Sequence, residues 1–358
     1  MRHLLPALLL ALPVPAQEAA PPRTQMEITV ERILLDLYVT DHRGEPIDDL
    51  RPSNFRVTID GIPAEVDAVE FIDMTAPAID PDLVHPDSDL ARGPDGRLLV
   101  FFFQTDFGRH RSRVQGHMAM VRHATEFLDR LEPADRVAVV QFDSHLKVRE
   151  DFTSDRDILT RAITESLQID HPGRPGVVPS PSLMARLDLD EAKAATTPER
   201  ALLLLGNALI PIPGPKSLVM FGWGLGRFGA GGVTMIRDYY PAMRALEKAR
   251  ATVFALDISV ADYHSLEVGL QAAAERTGGF YAKTHVFPRI AMGRLERTIS
   301  ARYELFVKRP PDLPRGVHEI QVRLVGRRGN VLAREMWEDS PPLTRPSRDS
   351  GAAPPGRR

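Results

Sequence analysis

The segment at residues 98–104 constrains the fold more than any other part of the chain. It reads LLVFFFQ, six apolar residues followed by a glutamine, and a helical pattern over Val114–Leu131 comes after a polar turn. Such an apolar run indicates a strand that is buried on both faces, as in sheets covered by helices on both sides. Ligands of α/β sheets bind at the carboxyl ends of parallel strands, so we expect a functional edge at Gln104 and the residues after it.

Strand and helix patterns alternate along residues 97–302. Apolar sequences typical of β-strands lie at 97–103, 136–142, 216–221, 252–257 and 280–282. Helical patterns lie at 114–131, 155–167, 184–210, 235–250, 263–277 and 289–303. This alternation predicts an α/β domain with a doubly wound, mostly parallel sheet.

Both flanks of this domain have β character. Residues 27–73 contain a hairpin signal at Asp60-Gly61, and residues 303–338 alternate between apolar and polar side chains. Each flank is too small to bury a sheet face alone. We therefore predict that the two flanks pair into one β-sandwich, into which the α/β domain is inserted. Residues 74–96 are predicted to be a linker and residues 339–358 a disordered tail.

The first residues have the composition of an export signal. A basic start precedes the apolar run Leu4–Val14, and small residues follow it. We predict a signal peptide at 1–16 and a spacer at 17–26, with the protein periplasmic or secreted. The apolar run is too short and too rich in proline to span a bilayer, so no membrane span is expected. Whether the leader is cleaved is left open.

Composition excludes several classes of function. The chain has no cysteine, which excludes disulfides, thiolate metal sites and cysteine nucleophiles. Its formal net charge of −3 does not favour a nucleic-acid partner. No pattern indicates a catalytic triad or a nucleophile elbow. His110, His117 and His123 are interpreted as solvated surface residues, because their spacing does not bring all three to one helix face.

Several segments occur in the order of a known family. They read LLVFFFQTD, RVAVVQFDS, KSLVMFGWGL, ARATVFALDIS and AAERTGGFYA, with LDLYVTDHRGEPIDDLRPSNFRVTIDG before them and YELFVKRPPD and HEIQVRL after them. This order resembles the von Willebrand factor A (VWA) domain, and more narrowly the bacterial VWFA-related exported proteins, over residues 28–335. The resemblance implies a Rossmann-like domain that binds a protein partner at the carboxyl edge of its sheet.

The resemblance also locates a metal site and shows that it is degenerate. Members with a working site carry Asp-x-Ser-x-Ser after the first strand, a central Thr, and an Asp after the fourth strand. Here Gln104, Asp106 and Gly108 occupy the first three positions, Thr197 matches the Thr, and Gly222 stands where the later Asp would be.

A shifted alignment of that motif does not restore the site. It places Asp106, Gly108 and His110 at the three positions, which again lack both serines. Mg²⁺ needs several hard oxygen ligands, and one carboxylate holds it poorly. We therefore expect no cofactor and a metal-independent function, with Asp106 and Thr197 as weak candidate ligands. A Mg²⁺-dependent adhesion domain stays open as an alternative.

The favoured interpretation is a non-enzymatic adhesion or scaffold module. Its partner would be a protein of the cell envelope or outside the cell, and the oligomeric state is left open. The candidate partner-binding residues are Gln104, Asp106, Phe107, Arg109, Arg111, Trp223 and Phe228. Arginines at this turn suit the carboxylates of a partner, although a solvated basic rim is the simpler interpretation. Aromatic residues are frequent anchors at interfaces.

A glycine motif supports a rival interpretation. Gly224–Gly229 reads GLGRFG, which matches the dinucleotide pattern G-x-G-x-x-G, and it follows a strand. An exported oxidoreductase that binds NAD is therefore the alternative function. The helical pattern starts late after this motif, and Asp257 lies beyond the usual spacing for a ribose ligand. A flexible glycine-rich loop is the simpler interpretation.

Overall fold

The computed structural model describes residues 31–75, 96–106, 111–167, 181–261 and 263–339, without the side chains of Arg111, Ser112 and Leu167. Some sequence predictions lie outside these residues. They are the signal peptide 1–16, the spacer 17–26, most of the linker 74–96, nearly all of the tail 339–358, and the Phe107 and Arg109 positions.

The described residues form sixteen strands and seven α-helices. The strands are β1 (Arg32–Thr40), β2 (Phe55–Ile59), β3 (Ile62–Ala64), β4 (Val66–Asp73), β5 (Leu98–Gln104), β6 (Arg136–Phe142), β7 (Leu146–Thr153), β8 (Lys216–Gly222), β9 (Arg227–Gly229), β10 (Gly232–Thr234), β11 (Ala251–Asp257), β12 (Tyr281–Lys283), β13 (Ala301–Lys308), β14 (Val317–Leu324), β15 (Asn330–Ala333) and β16 (Met336–Glu338). The helices are α1 (Arg111–Leu128), α2 (Arg156–Thr164), α3 (Leu189–Ala194), α4 (Pro198–Leu209), α5 (Tyr239–Lys248), α6 (Glu267–Thr277) and α7 (Pro288–Ile299).

The central sheet has six strands in the order β12-β11-β8-β5-β6-β7. Five of them are parallel, and β7 is an antiparallel edge strand next to β6. The predicted α/β fold with a mostly parallel sheet is therefore confirmed. The strand β7 was not predicted, because its sequence LKVREDFT carries too few apolar residues to look like a sheet strand.

Helices cover both faces of this sheet, which explains why almost every residue of β5 is apolar. Side chains alternate between the faces along a strand. Phe102 belongs to a core cluster built with α3–α6, whereas Phe101 and Phe103 belong to a cluster built with α1, α2 and α7. Every residue of β5 is buried, including Gln104 at its carboxyl end.

The flanks form two antiparallel four-stranded sheets, each with strands from both ends of the chain. Their strand orders are β15-β1-β13-β4 and β16-β14-β2-β3. One cluster of buried apolar side chains includes residues of both sheets. The first sheet also contacts the α/β domain, where Arg250 forms ion pairs with Asp36 and Glu304 and Tyr38 packs against Phe254.

Several predicted helices differ from the observed ones; those predicted at 235–250 and 289–303, for example, span Tyr239–Lys248 and Pro288–Ile299. The helix predicted at 184–210 is wrong as one unit, because it divides into a 3₁₀ turn at Met184–Arg186, α3 and α4. Asp188 and Thr197 each accept backbone N–H groups at a helix start, so each begins a new helix. The helix predicted from residue 263 begins later, at Glu267.

Candidate functional site

The candidate site lies at the carboxyl edge of the central sheet, between β5 and β8. The chain continues from β5 to β6 on one side, and from β8 to β11 on the other. This reversal of strand order opens a crevice outside the ends of β5 and β8, where doubly wound folds bind ligands. The side chains in this crevice therefore decide what the edge can do.

Gln104 lies beneath the crevice and joins the two strand ends. Its side chain is fully buried, and its Oε1 accepts hydrogen bonds from the backbone N–H groups of Trp223 at 3.0 Å and Gly224 at 3.4 Å. The amide oxygen thus joins the end of β5 to the chain that leaves β8. Gln104 was predicted to contact a partner, but in this conformation it supports the surface from below.

Gly222 is matched to this glutamine. A Cβ atom at position 222 would lie 3.0 Å from Gln104 Oε1 and 3.0 Å from Met220 Cε. Those separations are below normal contact distances, so a larger side chain requires its neighbours to move. The space between β5 and β8 therefore fits a glutamine at position 104 and a glycine at position 222, and it leaves little room for an acidic side chain at position 222.

Asp106 lies just beyond Gln104 and contacts the side chain of Trp223. The indole Nε1–H of Trp223 donates to Asp106 Oδ1 at 3.0 Å, and the guanidinium of Arg113 lies 3.3 Å from the centre of the Trp223 ring. Burial raises the pKa of Asp106 to about 7, against the opposing effects of the Trp223 hydrogen bond and the Arg113 charge. Asp106 is therefore partly protonated near neutral pH.

The remaining positions of the implied metal site do not supply free oxygens either. Thr197 is the N-cap of α4, and its hydroxyl oxygen accepts the N–H of Arg200 at 3.2 Å. The side-chain oxygen of Gln104 accepts two backbone N–H groups, and Gly222 has no side-chain oxygen. These residues do not fit the oxygen-rich shell that Mg²⁺ requires.

A buried carboxyl group on α4 was missed by sequence reasoning. Glu199 is buried, and its Oε1 accepts the N–H of Gly226. Burial raises its pKa, while that hydrogen bond acts in the opposite direction. Its position in the first turn of a helix suggested a solvated residue, and only the fold brings Gly226 to it.

The glycine motif forms a hairpin. β9 pairs with β10 in antiparallel fashion, with Phe228 opposite Val233, and α5 begins only at Tyr239. A dinucleotide fingerprint needs its last glycine near the start of a helix, where N–H groups meet the pyrophosphate. Gly229 instead ends a strand, so the predicted loop contains a short hairpin and the dinucleotide geometry is absent at Gly224–Gly229.

Phe228 lies on this hairpin with 64% of its surface exposed, whereas Trp223 is half-buried. Other large apolar side chains are exposed in segments that follow β11 and β12. They are Val260, Tyr263, Val286, Phe287 and Ile290. Because β8, β11 and β12 are parallel, these segments all leave the same edge of the sheet. We call these five residues and Phe228 the apolar rim.

A polar cluster follows the end of β11, next to the crevice. Asp257 is buried, and its Oδ2 lies 2.7 Å from His264 Nε2 and accepts the hydroxyl of Tyr281 at 2.6 Å. Its Oδ1 accepts the N–H of Ser259 at 2.9 Å. Burial acts to raise the pKa of Asp257, but these hydrogen bonds outweigh it and hold the pKa below its usual value.

Glu267 completes this group from the first turn of α6. Its Oε2 lies 2.9 Å from Lys283 Nζ and 3.5 Å from the hydroxyl of Tyr281. One ligand atom each from Asp257, His264 and Glu267 lies within 4.8 Å of the others. In sequence the only signal was an acidic residue at the end of an apolar strand, and Asp257 was considered solely as a ribose ligand.

Two of the three histidines on the turn and first helix are buried, so their interpretation as solvated residues is wrong. His117 packs edge-on against Phe103 with ring centres 5.5 Å apart, and burial lowers its pKa to about 4. His123 is also buried, and its Nδ1 lies 3.0 Å from Glu126 Oε2. His110 lies outside the described residues.

Gly116 sets the position of α1 over this edge. A Cβ atom there would lie 1.7 Å from the backbone oxygen of Ile258, directly after β11. Glycine therefore allows α1 to approach the end of β11. This close approach brings Arg113, one turn earlier in the same helix, to the ring of Trp223.

Among the described residues, no helix has both the length and the apolar character needed to cross a membrane.

Comparisons with known proteins give similarities of fold. No protein-family model matches the chain, and no curated protein does. Solved structures with a similar fold include a von Willebrand factor type A protein from Catenulispora acidiphila, with 11% identity, a TM-score of 0.41, and 87% of this chain and 75% of that one covered. Another is the conserved hypothetical protein BatB from Bacteroides thetaiotaomicron, with 13% identity and a TM-score of 0.37, over 57% of this chain and 98% of that one.

A third similar structure is proximal thread matrix protein 1 of the mussel byssus with a zinc-occupied MIDAS motif. It has 13% identity and a TM-score of 0.37, over 61% of this chain and 48% of that one. In this chain, strands and helices follow one another in the order from which the resemblance was predicted. The element order implied by the resemblance is therefore present in the α/β domain.

Proposed function

We propose that this protein is an exported, non-enzymatic module that binds a protein partner at the carboxyl edge of its VWA-like sheet. The observation that carries the proposal is the apolar rim. Large apolar side chains cost free energy in water, and exposed groups of them are typical of protein-binding surfaces. Their common origin at one sheet edge favours a single docking surface over scattered exposure.

We infer that docking is centred on Trp223 and Phe228 and needs no metal ion in the crevice. Phe228 is exposed on a two-stranded hairpin, and Arg113 lies against the neighbouring indole ring of Trp223. An aromatic anchor beside a guanidinium group is a frequent composition at the centre of protein interfaces. Gln104 and Gly222 hold the backbone beneath this surface in place.

The two flanking sheets would carry this module. Their shared apolar cluster supports a β-sandwich built from both ends of the chain. The arginine and aromatic contacts of Arg250 and Tyr38 would then fix the α/β domain on it, with its carboxyl edge free for the partner. Localisation in the periplasm or outside the cell is part of the proposal and rests on the export signal predicted for residues 1–16.

A pull-down from the cell-envelope fraction tests the proposal. Wild-type protein should capture a partner equally well in buffers with and without Mg²⁺, and Phe228→Ala should lose most of the captured protein. Ile62→Ala is the matched control, because Ile62 is an exposed apolar residue on a flanking sheet. Capture that survives Phe228→Ala, or that disappears with Ile62→Ala to the same degree, contradicts docking at this edge.

A further inference from the structure

We propose that Asp257, His264 and Glu267 form a binding site for a divalent transition-metal ion of the zinc class. The three groups come from three segments: the end of β11, the loop after it, and the first turn of α6. Their ligand atoms lie within 4.8 Å of one another. This site is separate from the crevice, where Gln104 and Gly222 exclude the Mg²⁺ site implied by the resemblance.

The donor set selects the metal. One imidazole and two carboxylates suit zinc and related first-row ions, whereas Mg²⁺ favours an all-oxygen shell. Zinc binds nitrogen and oxygen at about 2.0–2.2 Å, so its ligands in a tetrahedron are roughly 3.3 Å apart. His264 Nε2 and Asp257 Oδ2 are 2.7 Å apart. These two atoms would move apart by about 0.6 Å to reach that spacing, and water would supply a fourth ligand.

Neighbouring groups already orient the ligands. The N–H of Ser259 holds Asp257 Oδ1, and the hydroxyl of Tyr281 donates to Oδ2. Such outer contacts fix ligand orientation in metal sites and contribute to affinity. Lys283 lies against Glu267 and would exchange this contact for the metal, since both compete for the same Oε2. The cluster is thus largely arranged before an ion arrives.

An ion can reach the site from solvent. The side chains of His264 and Glu267 are 21% and 13% exposed, while Asp257 is 2% exposed beneath them. The buried carboxylate would form the floor of the site and the other two ligands its rim. Since His264 lies in the loop between β11 and α6, a bound ion would join this loop, which also carries Val260 and Tyr263 of the apolar rim, to the sheet.

Calorimetric titration of Zn²⁺ into the full-length protein tests the site, with Co²⁺ absorption as a second readout of coordination. We expect one ion per chain and a tetrahedral Co²⁺ spectrum. His264→Ala should weaken affinity more than about 100-fold, and Glu267→Gln, which keeps the side-chain shape, at least about 10-fold. His42→Ala is the control, because His42 is exposed on the flanking part of the chain and should leave binding unchanged.

Two results would overturn the proposal. One is the absence of stoichiometric Zn²⁺ binding to the wild-type protein. The other is unchanged affinity in both His264→Ala and Glu267→Gln, which would assign the ion to another site. Circular dichroism checks that each variant is folded, and Glu267→Gln carries the test if His264→Ala is not.

Discussion

Two buried polar side chains end neighbouring parts of the same sheet, and they differ in chemistry. Gln104 at the end of β5 is a neutral amide whose oxygen is taken by two backbone N–H groups. Asp257 at the end of β11 is a carboxylate that contacts the ionisable side chains of His264 and Tyr281. The first arrangement joins the ends of β5 and β8 through backbone N–H groups, whereas the second gathers side chains that can bind a ligand. The usual crevice of a doubly wound fold can thus become structural while the adjacent strand end keeps reactive groups.

Substitution of Gly222 by Asp is the strongest way to break this contrast. The new Cβ would lie 3.0 Å from both Gln104 Oε1 and Met220 Cε, and a carboxylate would be buried beside an amide oxygen. We expect a loss of about 3–5 kcal/mol in the free energy of unfolding, measured by urea denaturation. Gly229→Asp is the control, because nothing lies within 4 Å of that Cβ, and it should change stability by about 0.5 kcal/mol or less. Equal losses of unfolding free energy in the two variants would mean that position 222 has room for a side chain.

Removal of the Asp257 carboxylate tests the other half of the contrast. In Asp257→Ala, His264, Tyr281 and the N–H of Ser259 lose their acceptor, and we expect a loss of about 2–4 kcal/mol by the same measurement. Asp190→Ala is the control, since that side chain is 98% exposed. A loss no larger than that of the control would show that the cluster contributes nothing to stability.

Asp106 gives the contrast a pH dependence. Its pKa is about 7 in the folded protein and 3.8 as an ordinary carboxyl, so the folded state holds a proton that the unfolded state releases between these values. Stability from this group is therefore present below about pH 4 and is lost as pH rises through about 7. We expect the wild-type protein to lose about 1–3 kcal/mol relative to Asp106→Asn between pH 5 and pH 8.

The same pair of proteins provides the check for this prediction. Urea denaturation at both pH values gives the difference in the free energy of unfolding, and all other titrating groups are shared by the two chains. A difference that stays constant with pH, or that changes in favour of the wild-type protein as pH rises, would mean that Asp106 is an ordinary solvated carboxylate.

The smallest expected effect concerns dinucleotides. Because Gly224–Gly229 leads into a hairpin rather than into a helix, NADH should leave the midpoint of thermal unfolding unchanged. A ligand that binds the native state raises this midpoint. A clear rise in the midpoint with NADH that is abolished by Gly226→Ala would restore the oxidoreductase alternative. It would also mean that the crevice at β5 and β8 binds a ligand, as is proposed here only for the cluster at the end of β11.

Much of the fold was predictable because the pattern of the core is local. The apolar strands alternate with helical patterns, and the sheet follows from that alternation. His117 shows where local pattern was available but not used. Its spacing to Met120, Ala124 and Phe127 follows one helix face, and all four side chains are buried. Hydrophobic periodicity would have placed this histidine in the core, and its interpretation as a solvated surface residue overlooked that pattern.

Only the missing metal ligands of the site could be predicted from the sequence. The absence of acidic residues at Gln104 and Gly222 could be read from the sequence, and it indicated a degenerate metal site. The hydrogen bonds of Gln104 could not be read from the sequence, because Gln104 and Trp223 are 119 residues apart and meet only through sheet register. The same holds for Tyr281 and Asp257, which adjacent parallel strands bring together. Side chains that act across strands leave no periodic signal along one strand.

Divalent-metal titration of Asp106→Asn and His264→Ala, side by side, tests most directly whether metal chemistry lies beside the crevice rather than in it. We predict that Asp106→Asn binds Zn²⁺ like the wild-type protein, that His264→Ala loses this binding, and that neither variant nor the wild-type protein binds Mg²⁺ at the crevice. Binding that is lost with Asp106 and retained without His264 would contradict this account and return the metal site to the end of β5.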